Sequence, residues 1–380
     1  MILHCSRTRV GAERAEQIRA LASGGIDWEY LIGTAQRHGV LPLLCQNLSA
    51  VCPDAVPVQV LAELKQRFLG NAQRSLFLTG EMLNLLRQLE LAGVKAMPFK
   101  GAVLAAIYYG NPALRAFGDI DLLVEAGAVA RASGVLSKAG YRDADHLTSE
   151  QLQCCERYAN SLNFIHHSSG IAVDLHWAAW PDWFSSRQSA LFFRAGAERM
   201  SVCGRDVLVN SAEVTLLMLC FHGAKHAWSA LGSVCDLHEL VCSTPALDWR
   251  GLLNLGRQLR AERLLLLGLS LAQRLLGAAL PMCVQQELNS EPVVSSMAAE
   301  LGDRILAGTA ASEVALIPGV LLRARRGLAQ KFTCTLRFAF KPSLTDICSV
   351  RLPRPFFLLY HVIRPLRLLR KYGFSVLGRA

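Results

Sequence analysis

The apolar positions of this chain change rhythm twice. From residue 11 to 92 they recur at helical spacing, as in "EYLIGTAQRHGVLPLLCQNL" and "QVLAELKQRFLGNAQRSLFLTGEMLNLLRQLELAG", with Gly93 as the expected stop. The runs then shorten. "VKAMPF" and "DIDLLV" read as strands, and "KGAVLAAIYYG" reads as a glycine turn opening a helix. "NPALRAFG" is a loop, and "AGAVARASGVLSKAG" is a helix from which "YRDADH" leads away. "NSLNFIHH" and "IAVDLHW" read as two strands joined by "SSG". After residue 211 the helical spacing returns, in "SAEVTLLMLCFHGAKHAW", "VCDLHELVCS" and the Leu-rich stretch over 252–276. The expected class is α+β: a small mixed-sheet core flanked by N-terminal and C-terminal helical regions. We divide the chain into an N-terminal helical region (1–92), an α/β core (93–205), a helical domain (206–310) and a basic C-terminal segment (311–380).

Composition changes this picture in four places. At 52% hydrophobic and 18% charged, the 380 residues suit folded domains with sizeable cores. "RLLLLGLSLAQRLLGAALPMC" is interrupted by Arg274 and stopped by Pro281, too short to cross a bilayer, and "MILHCSRTRVGAERAEQ" lacks the apolar core of a signal peptide. A cytoplasmic protein is therefore expected, peripheral to the membrane if the tail binds there. The twelve cysteines are scattered without a Cys-x-x-Cys, which points to buried thiols rather than zinc ligands or disulfides. The net charge of +10 belongs to the tail: from Val314 onward there are thirteen Lys and Arg against one acid, Asp346.

The chemistry centres on "FGDIDLLVEAG". Strand side chains at i and i+2 share a face, so Asp119 and Asp121 would present two carboxylates side by side. Paired carboxylates repel unless a cation lies between them, and magnesium takes such ligands together with substrate phosphates. Asp174 in "IAVDLHW" could supply a third carboxylate from a neighbouring strand. Upstream, Lys100–Gly101 opens a helix, where backbone N–H groups and the helix N-terminus favour an anion. The competing reading is a solvated strand with alternating acids. Against it, "DIDLLV" is apolar on its other face, and buried acids without partners are costly.

The series "FKGAVLAAIYYGNPALRAFGDIDLLV", "VDLHW" and "CFHGAKHAWSALGSVCDLHEL" resembles the bacterial family of uncharacterised nucleotidyltransferases, within the DNA polymerase beta-like nucleotidyltransferase superfamily. The resemblance covers roughly residues 80–240, and more faintly "LPRPFFLLYHVIRPLRLLRKYG". It implies a nucleotidyltransferase core that uses Mg²⁺, or Mn²⁺ in its place, and an NTP, ATP first among them, as co-substrate. It implies Asp119, Asp121 and Asp174 as metal ligands, with Asp174 also the general base on the acceptor. Gly101 would mark the phosphate turn, with Lys100, Ala102 and Arg115 at the triphosphate. Two departures stand out: Ala102 replaces the second small residue of the turn, and the gap to Asp119 is long. The implied reaction is attack of an acceptor hydroxyl on the α-phosphorus with loss of pyrophosphate, the acceptor being a small molecule or a peptide.

Other residues keep two readings. His222 and His226 share a helix face, but the Glu of a His-Glu-x-x-His motif is absent; they serve packing or, with Lys225 and Asp236, the substrate side. His176 shares the face of Asp174 and contacts metal or phosphate, or makes a structural hydrogen bond. Trp177 reads as core, and His166–His167 as incidental. The basic tail lies on an anionic membrane surface, binds RNA or another anionic partner, or packs its apolar face on the body. A kinase on the same fold, an Asp-x-Asp glycosyltransferase and a catalytically silent nucleotide-binding protein are the alternative functions.

Overall fold

The computed structural model describes residues 1–178, 197–308 and 319–370; Lys371 and Arg379 of the basic segment lie outside them. The described residues fall into two compact units. One gathers those of Met1–Leu83, Phe99–Gly118 and Gly196–Ala324; the other gathers those of Asn84–Pro98, Asp119–Ala195 and Arg325–Ala380. The division falls inside the helix Val58–Leu91. That helix ends where the sequence placed its stop: Gly93 takes φ +68 and the Val94 N–H returns to the Leu89 carbonyl.

The first unit is mainly helical. The helices Ala212–Lys225, Leu231–Ser243 and Glu262–Leu276 pack on one another. Ser211 caps the first of these by accepting the Val214 N–H. Leu216, Leu237, Leu240, Leu265 and Leu267 are fully buried among them. The Leu-rich helix Glu262–Leu276 stops at Gly277, which is left-handed at φ +69, so its end falls at 276 as the sequence spacing placed it. A glycine reaches that cap conformation without the Cβ penalty, so the helix ends before Pro281 is met. Among the described residues no helix is long and apolar enough to cross a membrane.

Part of "CFHGAKHAW" is explained by this core. Ala227 and Trp228 take φ +49 and +54, and the Trp228 N–H returns to the Gly223 carbonyl at 2.8 Å. The indole then lies so close that a Cβ at Gly223 would meet its ring at 2.6 Å. A hairpin that the sequence reading missed also belongs here: Ala197–Val202 and Arg205–Asn210 pair antiparallel. Its turn residues Cys203 and Gly204 both have positive φ, the geometry that matches strand twist in two-residue hairpins.

The second unit holds a five-stranded mixed sheet. Its strands are β1 (Ala96–Pro98), β2 (Asp119–Val124), β3 (Tyr141–Asp143), β4 (Ser161–His166) and β5 (Ala172–His176). The spatial order is β1-β2-β5-β4-β3, with β2 and β5 parallel and the other pairs antiparallel. β1 contains Pro98, which an edge strand tolerates. β3 lies in "YRDADH", read from sequence only as a connection. One face of the sheet is apolar: Ile120, Leu122, Leu162, Val173 and Leu175 are buried on it. At the far edge, His167 Nδ1 lies 2.8 Å from the Gly140 carbonyl and His166 packs edge-on against Tyr141. These two histidines thus fasten the turn into β3.

Asp346, the one acid after Val314, is fully buried in this unit. It caps the helix Leu344–Ser349 by accepting from Ser343, and it pairs with Arg364 at 3.2 Å and Arg367 at 2.5 Å. Gln151 Nε2 donates to the Ile347 carbonyl, tying this helix to Ser149–Tyr158. Burial alone would raise the Asp346 pKa. The hydrogen bonds from Arg367 and Ser343 and the charge of Arg364 overcome it and hold the carboxyl below the usual carboxylate range. The stability from this depressed pKa is complete above the unfolded value, about 4, and is lost as pH falls through the folded value. Urea unfolding of the wild type from pH 6 to 3 should therefore show an acid-dependent loss in the C-terminal helices that Asp346→Asn lacks. Identical pH profiles for the two proteins would remove Asp346 from the account.

Candidate functional site

Register builds the site in the second unit. β2 and β5 pair in parallel with Asp121 opposite Asp174, and β4 sets Asn163 opposite Asp174. Since paired strand residues share a face and faces alternate along each strand, Asp119, Asp121, Asp174, His176 and Asn163 all fall on one side. It is the face opposite the apolar one. Ligand atoms of Asp121, Asp174 and His176 lie within 4.8 Å of one another. His176 Nε2 is 3.2 Å from Asp121 Oδ1, and Asn163 Nδ2 donates to Asp174 Oδ1 at 2.5 Å. Asp121 is only 4% exposed and His176 8%. Asp119 stands on the same face one turn of the pleat away and is partly exposed; it is not one of the three.

These residues fit a divalent cation. Two adjacent carboxylates, one of them buried, repel each other and lose hydration, a cost that a cation between them offsets. Two carboxylates and an imidazole are ligands for Mg²⁺- and Mn²⁺-type sites, with the imidazole tilting the set toward the softer ion. Asn163 orients Asp174 in the way outer partners orient metal ligands. Sequence reasoning did not identify Asn163. Its signal was period-two spacing in "NSLNFIHH", which acquires meaning only once β4 is set beside β5.

The remaining candidates belong to the first unit. Gly101 has φ +52 and ψ −118, a conformation that favours glycine, and it precedes the short helix Ala102–Ile107. Ala102 is buried at the first position of that helix. Lys100 Nζ lies 3.5 Å from His222 Nδ1, and the His222 and His226 rings are 4.7 Å apart at the end of the helix Ala212–Lys225. Lys225 is exposed in the last turn of the same helix.

Arg115 and Asp236 are joined. Arg115 donates from Nε to Oδ1 at 2.7 Å and from Nη2 to Oδ2 at 2.8 Å, and the Tyr109 hydroxyl donates to Oδ1 at 2.8 Å. Burial pushes the Tyr109 pKa well up, and the nearby Asp236 carboxylate adds to the rise, so the phenol stays protonated as a donor. Asp236 is thus held inside the unit, and Tyr109 is a partner that no sequence motif indicated. Arg37, His38, Tyr109, Arg115, His222 and Asp236 contribute to the lining of a pocket of about 220 Å³. All twelve cysteines are free thiols, eight of them buried, in keeping with a role in packing.

The profile of a protein family described as uncharacterised nucleotidyltransferase matches residues 24–277. Among solved structures, the solution structure of the antibiotic-resistance factor ANT(2'')-Ia matches with a TM-score of 0.28 and 14% identity, covering 60% of this chain and 92% of that one. No curated protein matches the chain.

Proposed function

We propose, from the premise that the chain belongs to the family of uncharacterised nucleotidyltransferases, that it moves the nucleotidyl group of an NTP, ATP first among them, onto a hydroxyl of a small molecule or peptide. The observation that carries the metal-dependent form of this reading is the Asp121–Asp174–His176 cluster on the polar face of the sheet. Asp121, Asp174 and His176 would hold a divalent ion, Mg²⁺ or Mn²⁺, with Asp119 beside them on the same face. Bound there, the ion would neutralise charge on the triphosphate and polarise the α-phosphoryl group.

The chain's own groups supply the rest. Asn163 engages Asp174 Oδ1, so we assign Oδ2 the proton of the acceptor hydroxyl. The acceptor oxygen forms a bond to the α-phosphorus, the bond to the bridging α–β oxygen breaks, and pyrophosphate leaves with that electron pair. His176 fixes the orientation of Asp121 through the 3.2 Å contact. In the first unit, Lys100 and the Gly101–Ala102 turn are the groups we assign to the triphosphate. His222, Lys225 and His226 are assigned to the substrate side. Arg115, held at Nε and Nη2 by Asp236, is proposed as a fixed cationic wall of its pocket.

The test is incubation with α-labelled and, separately, γ-labelled ATP, a divalent metal and a cell extract, with Asp174→Asn in parallel. Label passing from the α-position in the wild type alone is the expected result, and it tags the acceptor for identification. Label passing only from the γ-position makes the protein a kinase on this fold and overturns the nucleotidyl reading. Equal transfer by Asp174→Asn removes the assigned base.

A further inference from the structure

Among the described residues, the C-terminal helices of the second unit leave an apolar surface exposed. On the helix Gly327–Phe340, the four positions Leu328, Phe332, Leu336 and Phe340 are all exposed, Leu328 by 84% and Phe332 by 65%. A spacing of four puts them on one slowly turning stripe. The inward side of that helix carries Cys334, which is buried, and it packs against the helix Tyr360–Leu368. That second helix repeats the arrangement, with Tyr360 and Arg364 buried and Val362 and Leu366 exposed. Phe356, Leu358 and Leu359 of the 3₁₀ turn Arg354–Leu359 are exposed as well.

Charge identifies what would cover this surface. Arg337 and Arg354 are exposed on these elements, and Arg351 and Arg370 are exposed beside them. Asp346, the one acid after Val314, is buried and paired, so the exposed charges of the described residues after Val314 are all cationic. Exposed Phe and Leu between Arg side chains, with no transmembrane helix among the described residues, is the composition of an element lying in a lipid interface. Arginine stems lie along the apolar layer while their heads reach anionic headgroups. A protein partner would need a matching acidic groove. RNA would leave the aliphatic positions Leu328, Leu336, Val362 and Leu366 without a role, since stacking uses aromatic rings.

We propose that the helices Gly327–Phe340 and Tyr360–Leu368, with the turn between Arg351 and Leu359, form a docking surface for an anionic lipid bilayer. This holds the enzyme at the membrane face without spanning it. The inference is independent of the metal cluster and of the acceptor.

The experiment is flotation of the full chain with vesicles of pure phosphatidylcholine and with vesicles containing about a third phosphatidylglycerol. Phe332→Ser/Phe356→Ser and Arg351→Glu/Arg354→Glu run alongside. All four side chains are exposed, and a thermal melt by circular dichroism checks that each variant remains folded. The expected result is flotation with the anionic vesicles alone, weakened by 0.5 M salt and lowered about tenfold or more in each variant. Equal flotation with neutral vesicles would overturn the headgroup role. Absence of flotation would overturn the proposal. A concentration-dependent dimer abolished by Phe332→Ser/Phe356→Ser would then assign the surface to a second copy. Retention of RNA in place of vesicles would assign it to nucleic acid.

Discussion

Asp121→Asn is expected to lower nucleotidyl transfer by about a thousandfold or more while leaving the fold intact. A bound cation that stabilises transition-state charge contributes several kcal/mol, and each 1.36 kcal/mol is tenfold in rate. Asp121 is the most buried member of the cluster, and it touches His176 while standing opposite Asp174. Its removal therefore weakens every part of the site. The stability signature distinguishes this from simple damage. In metal-free protein, Asp121→Asn relieves the repulsion between two neighbouring carboxylates, so its melting temperature should equal or exceed that of the wild type. Added Mg²⁺ or Mn²⁺ should raise the wild-type melting temperature and leave the variant unmoved, because only a bound ligand stabilises by mass action. Thermal melts with and without metal, beside steady-state rates, make the check. A variant that keeps wild-type rates, or the wild-type metal response, would remove the cluster from the mechanism.

The second large effect concerns stability. Asp236→Ala should destabilise the first unit by about 3–5 kcal/mol, the cost of leaving a buried charge without its partner. The Arg115 and Asp236 side chains are only 16% and 7% exposed, they meet through two hydrogen bonds, and the Tyr109 hydroxyl is the third donor. Loss of the carboxylate strands a guanidinium and a phenol together. Urea unfolding should show a lower midpoint, and Asp236→Ala/Arg115→Met should recover part of the loss, since it removes the stranded charge too. A cost below about 1 kcal/mol for Asp236→Ala would fall in the range of exposed ion pairs and would mean that the triad does not organise the unit. The same triad explains why Arg115 and Asp236, separately attractive as substrate contacts, are engaged with each other.

How far the site could be read in advance depended on the distance over which each residue's partners lie. Asp119 and Asp121 were legible because the strand period of two places them on one face whatever surrounds the strand. Gly93 was legible as a helix stop because a left-handed cap is a local demand on the backbone. The end of the Leu-rich stretch at 276 was legible as well, and there too a left-handed glycine, Gly277, closes the helix. β3 and the Ala197–Asn210 hairpin were missed because short strands carry few alternations, and their existence rests on a partner strand or a two-residue turn.

The chain's own order of residues determined the alternation in "DIDLLV", the helical texture on either side of the sheet, and the concentration of positive charge after Val314. All three follow from side-chain chemistry acting on neighbours in sequence. Only the tertiary structure decided that Asp121 faces Asp174, that Asn163 rather than a carboxylate steadies Asp174, and that Arg115 spends its fork on an aspartate 121 residues away. It also decided that the tail's one acid is buried while its Phe and Leu stripe is exposed. Strand register and side-chain pairing depend on which segments meet, and that choice is made by burial summed over the whole core. No local pattern in the sequence carries that sum.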